Sequence, residues 1–200
     1  KTNALKVKSV FSHLAASEDL EEKAFTLGQI DLYKSLSSSF IEKIGYAVIR
    51  HLCNTSGVLN YPEAHFDMVR CGIGLYGYGN SDKDAKNFRP IATLKSVISQ
   101  IHHVSEGKSV GYNRGFISPR DSKIATIPIG HADGIGRHFG HGVGVVLINH
   151  KKAAIVGNVC MDMIMVDVTA VECSEGDEVV FFGPELSAEA GSAAANTISY

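Results

Sequence analysis

A chain of 200 residues that is 44% hydrophobic and 20% charged has the composition of an ordinary globular protein, which sets aside the disordered and fibrous classes. Nineteen basic against twenty-one acidic residues leave a net charge of −2, so there is no electrostatic argument for nucleic acid or an anionic membrane as partner. The most apolar run, Val143 to Ile148, is far shorter than the ~20 residues of a membrane-spanning helix, and small polar or zwitterionic partners remain.

Lys1 opens the chain without an initiator Met, and no apolar leader follows, so the expectation is a piece of something longer. Residues Val7 to His13 suit a buried strand. From Ser17 to Ile44 the period changes: Ile30, Tyr33, Leu36, Phe40 and Ile44 fall three or four apart, one face of a helix, and Gly45 stands where helices commonly end. Tyr46 to Arg50 reads as a second strand, His51 to Gly57 as a polar loop at its carboxyl end, and Phe66 to Val69 as a third strand running into the glycine-rich Cys71 to Gly79. Strand, helix, strand, loop, strand is the order of a parallel α/β architecture, whose binding loops lie at the carboxyl ends of the strands.

Asn80 to Asn87 is charged and polar, a linker by composition. Beyond it the helical period gives way to short β-rich runs: Thr93–His103, Ser122–Ile129, Val143–Asn149, Ala153–Val156, Ile164–Val168 and Glu178–Phe182. Turn residues separate them, which predicts an all-β second half of sandwich or barrel type. Cys53, Cys71, Cys160 and Cys173 form no CxxC pair, and reduced, buried thiols in a cytoplasmic protein are expected.

Several residues carry chemistry. Gly72-Ile73-Gly74-Leu75-Tyr76-Gly77 matches GxGxxG, but no helix is expected to follow it, as the dinucleotide fingerprint requires. Its physical content survives as a glycine loop whose N–H groups can approach a phosphate, beside the plain reading of a structural turn. Arg70, before that loop, must be paired or used, and His51 at the end of the preceding strand can be its partner. Tyr112 sits among glycines that expose its ring, where a nearby cation can lower its pKa for base chemistry; an inert loop tyrosine is the alternative. His131, Asp133, His138 and His141 invite a metal reading, yet their spacing fits no zinc signature, and solvated histidines on a glycine-rich turn are expected instead, with no metal. Asp162, in Val159-Cys160-Met161-Asp162, can bond turn N–H groups.

The order of these segments is more informative than any one of them. His13, then His51-Leu52-Cys53-Asn54-Thr55-Ser56-Gly57, Asp67-Met68-Val69-Arg70-Cys71-Gly72-Ile73-Gly74-Leu75-Tyr76-Gly77, Val110-Gly111-Tyr112, Ile129-Gly130-His131-Ala132-Asp133-Gly134, Gly157-Asn158-Val159-Cys160-Met161-Asp162 and Thr197-Ile198-Ser199-Tyr200 resemble successive motifs of alanine racemases over nearly the whole chain. The resemblance implies a (β/α)8 barrel followed by a β-domain. Residues 1–86 would be the last strands and helix of the barrel, incomplete, and 87–200 the carboxyl-terminal β-domain, truncated at its end.

It also implies pyridoxal 5'-phosphate as cofactor, alanine as substrate, a homodimer with shared sites, and D-alanine supplied for peptidoglycan in a bacterial cytoplasm. Arg70 would face the pyridine nitrogen with His51 bonded behind it, and His13 would lie against the ring. Thr55, the Gly72 and Ile73 N–H groups and the Tyr200 hydroxyl would hold the phosphate, with Asn54 also among the cofactor-binding residues. Tyr112 would be one of two catalytic bases, reaching into the partner's site, as racemisation exchanges a proton on both faces. Met161 would offer its N–H to the substrate carboxylate, with Asp162 and His131 beside it. The family's cofactor lysine, in a pattern like K-A-x-A-Y-G-H-G, has no counterpart here, so the chain alone is expected to be inactive. That absence favours the rival reading, a non-catalytic binding or assembly module; a metal-dependent hydrolase built on the histidine cluster is the third. His131 and Asn158 stand where the family usually has Tyr and often has Arg.

Overall fold

The protein's computed structural model describes residues 5–79 and 88–196, and it separates into two units, Lys1–Ile91 and Ala92–Tyr200. In the first, β1 (Ser9–Phe11) and β2 (Ile49–His51) pair in parallel, Ser9 opposite Ile49 and Phe11 opposite His51. Parallel neighbours need a long crossover, and α1 (Lys23–Ile44) supplies it. The helix buries Thr26, Ile30, Tyr33 and Ser37, spaced four, three and four apart as one helical face requires. The expected face is therefore rotated: Ile30 and Tyr33 point inward, but Leu36 is 61% exposed and Ser37 takes the buried position. Gly45, at φ 80° with its N–H bonded to Ile41 O, ends the helix as its sequence suggests.

Two short segments depart from expectation. Phe66–Val69 forms no regular strand; it follows β2 through one parallel bridge, His51 to Met68. The Asp67 carboxylate takes the Arg50 N–H at 2.8 Å, and Phe66 has φ 50°, so a side chain and a left-handed residue stand where ladder bonds would be. Of the expected loop His51–Gly57, His51 ends β2 and only Leu52 to Asn54 is loop. The Asn54 Oδ1 accepts from Gly57 N at 2.9 Å and caps α2 (Thr55–Asn60). Leu14, Ile30, Tyr33, Leu52, Cys53, Tyr61 and Ala64 make up the core of this unit.

The second unit is a curled seven-stranded antiparallel sheet, barrel-like rather than a sandwich. Its strands are β3 (Leu94–Val97), β4 (Gln100–Val104), β7 (Ser122–Ile127), β8 (Val145–Ile148), β9 (Lys151–Val156), β10 (Ile164–Asp167) and β11 (Glu178–Phe182), after a separate hairpin of β5 (Ser109–Val110) and β6 (Phe116–Ile117). Their order is β3-β11-β8-β9-β10-β7-β4, so β3 and β4, consecutive in sequence, stand at its opposite ends. Ile98 N bonds to Asp177 O and Ser99 N to Thr126 O, so one continuous stretch runs from the β3 edge to the β4 edge. The expected run Thr93–His103 is that stretch. Ile127, Val146, Ile148, Ile155, Ile164, Val166 and Val179 form its core. A last helix, α3 (Ala188–Ala194), capped by Ser187 Oγ, was not expected because its Ala, Gly and Ser carry no apolar period.

Cys53 and Cys160 are buried and Cys173 is half-buried, but Cys71 is exposed, because the glycines that follow it bring no side chains to cover it. Burial pushes the Cys53 thiol up to about 11. Among the described residues no helix is long and apolar enough to cross a membrane. Asn80 to Asn87 and the Thr197–Tyr200 motif, including the expected phosphate ligand Tyr200, lie outside the described residues.

Candidate active site

Each unit carries a cluster of the residues singled out in the sequence. In the first unit the cluster is centred on Arg70, placed by its N–H bond to Cys53 O at 2.9 Å. Its Nη1 lies 2.8 Å from His51 Nδ1, and its Nη2 lies 2.9 Å from Ser12 O, 3.2 Å from His13 Nδ1 and 3.3 Å from Leu52 O. The pairing expected of Arg70 and His51 is thus present, and His13 joins it. Arginine only donates, so the His51 imidazole accepts at Nδ1 and carries hydrogen at Nε2. Burial first, and the Arg70 charge second, lower the His51 pKa below its ordinary value, which favours that neutral form. Among the described residues no carboxylate pairs with Arg70, and its charge stays uncompensated.

Two aromatic side chains complete this cluster, and sequence reasoning missed both. The Phe11 ring stacks on His51, centroids 5.4 Å apart and planes within 6°, and the Arg70 guanidinium lies 5.4 Å from the same ring. Tyr33, read only as a core position, donates its hydroxyl to Val10 O at 2.9 Å and accepts the His51 N–H at 3.0 Å. Burial raises its pKa, keeping the proton that the first bond needs. This hydroxyl bridges β1 and β2 at the level of His51, in addition to their parallel pairing.

The glycine loop adjoins the start of α2. Thr55 Oγ1 accepts from Gly72 N at 3.0 Å and Gly74 N at 3.2 Å. The Gly72 N–H is bonded to Thr55, whose hydroxyl accepts in both bonds and can still donate its own proton. Ile73 opens a single 3-10 turn, Ile73–Tyr76, closed by Gly77 at φ 85°, and the described residues Tyr78 and Gly79 that follow are not helical. A Cβ on Gly72 would meet nothing within 4 Å, whereas one on Gly74 would come within 2.8 Å of Thr55 Cγ2. Asn54 acts through its side-chain Oδ1, which caps α2 and accepts from Ser17 Oγ at 2.8 Å.

In the second unit Tyr112 stands at the tip of the β5–β6 hairpin in the turn Gly111–Gly115, its side chain exposed. With Gly111, Cys160, Met161, Asp162, Met163 and Met165 it lines a cavity of about 290 Å³. His131 is brought to the same segment through its backbone, His131 N bonding Cys160 O at 2.9 Å and Ala132 N bonding Met161 O at 2.8 Å. A Cβ on Gly130 would fall 2.5 Å from Met161 O, which explains why this loop needs glycine. Asp133 accepts the Gly130 N–H, His138 lies against Phe139, and His141 Nε2 bonds Asn158 Oδ1. Among the described residues no three His, Cys, Asp or Glu side chains group as a metal site.

Profiles of two domains match the sequence: the alanine racemase amino-terminal domain over residues 1–80 and its carboxyl-terminal domain over 91–200. This chain belongs to the alanine racemase family. The alanine racemase of Clostridium kluyveri is 39% identical over 183 residues, covering 90% of this chain and 46% of that protein. That of Desulfovibrio desulfuricans is 37% identical, covering 97% and 53%. Among solved structures, the alanine racemase of Clostridium difficile 630 in complex with cycloserine superposes with a TM-score of 0.87 at 32% identity, over 99% of this chain and 53% of that one. The Bartonella henselae alanine racemase with covalently bound pyridoxal phosphate gives 0.83 at 31% identity, over 97% and 53%. The chain spans about half the length of the alanine racemases it matches.

Proposed function

We propose that this chain is part of a pyridoxal 5'-phosphate-dependent enzyme that interconverts L- and D-alanine by two-base proton transfer. In this reading residues 1–86 are the closing strands and helix of a (β/α)8 barrel and 87–200 its carboxyl-terminal β-domain. The intact enzyme works as a homodimer with shared sites in the cytoplasm and makes D-alanine for peptidoglycan. The observation that carries the reading is Arg70, a guanidinium held by two imidazoles and two carbonyls with no carboxylate partner among the described residues.

These residues fit the cofactor. Among the described residues the Thr55 hydroxyl proton beside the helix start has no acceptor, and Gly72 has open space at its Cα, room for a phosphate oxygen at the protein surface. Bound there, pyridoxal phosphate supplies an electron-withdrawing ring that stabilises negative charge at the substrate's α-carbon. Arg70 cannot give up a proton, so an aromatic nitrogen against it accepts a hydrogen bond and stays unprotonated. That weakens electron withdrawal and favours plain proton return over side reactions. Ile73 N–H and Tyr200 complete the phosphate contacts in this reading, and His13 lies against the ring.

Tyr112 Oη takes the α-proton of one enantiomer and, in the reverse direction, delivers a proton to that same face, while the second base serves the opposite face. Met161 N–H, beside Asp162 and His131, orients the carboxylate. The second base, a lysine by family resemblance, matches no motif of this sequence. The test is Tyr112→Phe in the full-length protein: removing one positioned base should cost at least about 100-fold in racemisation while cofactor absorbance is unchanged. Equal rates for wild type and variant in both directions would overturn the assignment.

A further inference from the structure

We infer that Asn158, oriented by His141, is the positioning residue that aims Tyr112; the inference rests on the reading of Tyr112 as a base. The hairpin that carries Tyr112 has only two rungs, Ser109 with Ile117 and Val110 with Phe116, too few to be rigid alone. The Tyr112 side chain is 72% exposed, so packing within its unit does not fix it. Its turn is also strained. Asn113 and Arg114 follow one another at φ 53° and 52°, where residues bearing a Cβ are disfavoured, and such geometry persists only when the surroundings hold it.

Asn158 provides that hold. Its Nδ2 donates to Tyr112 O at 2.9 Å, and the same carbonyl accepts Gly115 N at 3.1 Å, so both lone pairs are engaged. A Cβ on Gly115 would stand 2.7 Å from Asn158 Nδ2, and the amide occupies the space that glycine leaves. With Nδ2 donating, Oδ1 must accept, and it does so from His141 Nε2 at 3.0 Å. The backbone beneath is fixed in turn: His141 N bonds Gly157 O at 2.9 Å, and Cys160 N bonds Met163 O at 3.0 Å. Asn158 therefore ties the turn bearing the base to the segment bearing Met161 and Asp162, across the cavity they share. One amide sets the distance between the proton acceptor and the backbone that faces the substrate carboxylate.

The test uses the full-length enzyme with pyridoxal phosphate. Asn158→Asp keeps the shape and the acceptor but loses the donor, and it should lower kcat by about 10- to 100-fold, the cost of a misplaced reacting group, with KM within about threefold. Because L- and D-alanine are equal in free energy, kcat/KM must fall equally in both directions. The discriminating readout is the α-deuterium isotope effect, which should rise for the enantiomer whose proton Tyr112 removes and not for its mirror image. Hydrogen exchange at the Tyr112–Gly115 amides should quicken, and Gly115→Ala, which pushes the amide from the other side, should reproduce both changes if Asn158→Asp does not fold. Unchanged isotope effects and unchanged exchange in the folded variants overturn the inference. If Tyr112→Phe retains full activity the base reading fails instead, so the two failures are told apart.

Discussion

Tyr33→Phe isolates the hydroxyl that joins the fold to the Arg70 cluster. The substitution keeps the ring, including its edge-to-face contact with Phe66 at 5.1 Å, and removes only the bonds to Val10 O and His51 N, at 2.9 and 3.0 Å. His51 is 7% exposed, so its N–H would lose its partner without gaining water, at about 1–3 kcal/mol. Val10 is half-buried, and water can partly replace its bond. A total of about 2–4 kcal/mol lowers the folded-to-unfolded ratio by roughly 30- to 700-fold. Urea unfolding of the full-length protein measures the whole, and hydrogen exchange of the His51 amide should accelerate locally. A loss below about 0.5 kcal/mol, the level of an ordinary surface substitution, with His51 protection unchanged would refute the role given to the hydroxyl.

Two further outcomes follow from the same cluster. His51 has its pKa lowered in the folded state by burial and by Arg70, so the unfolded chain takes up a proton first, near pH 6.5. Its contribution to stability is intact above that pH and is lost as pH falls from there toward the folded pKa; an NMR titration of the His51 ring should show a midpoint below 6.5, and a midpoint above it contradicts the geometry. At Thr55, Thr55→Val removes a hydroxyl that accepts two glycine N–H groups and that we propose donates to phosphate. Equilibrium dialysis should show pyridoxal phosphate bound about 10- to 100-fold more weakly by the full-length variant, the worth of a hydrogen bond to a charged group, and Thr55→Ser should restore it; equal affinity in Thr55→Val removes Thr55 from the phosphate site.

The fold was most legible where one physical signal acted alone. Glu178–Phe182 is a strand at the residues expected, because a continuous run of β-branched and aromatic residues there is bounded by turn residues on both sides. Gly45 ends α1 for the same local reason. Where two signals competed, the sequence misled. Leu36 and Phe40 fit the helical period but lie on the outward side of α1, while Ser37 lies inside, since period gives a face and not which neighbour it meets. At Phe66–Val69 the apolar pattern of a strand is overridden by Asp67, whose carboxylate replaces a backbone partner of β2.

In the two clusters the readable part was charge and the unreadable part was room. A guanidinium at a strand end has to find acceptors, which made Arg70 and His51 a pair before any coordinates. The glycines were read as backbone freedom, which is right for Gly77 at φ 85°. Gly74 and Gly115 answer to a different demand: each leaves out a Cβ so that a polar side chain remote in sequence, Thr55 or Asn158, can lean against the turn. Those bonds span 19 and 46 residues, separations at which no local pattern records a partner. In both clusters an exposed functional turn is stiffened by a side chain filling a glycine's vacancy, which lets short irregular segments hold groups as firmly as regular elements would.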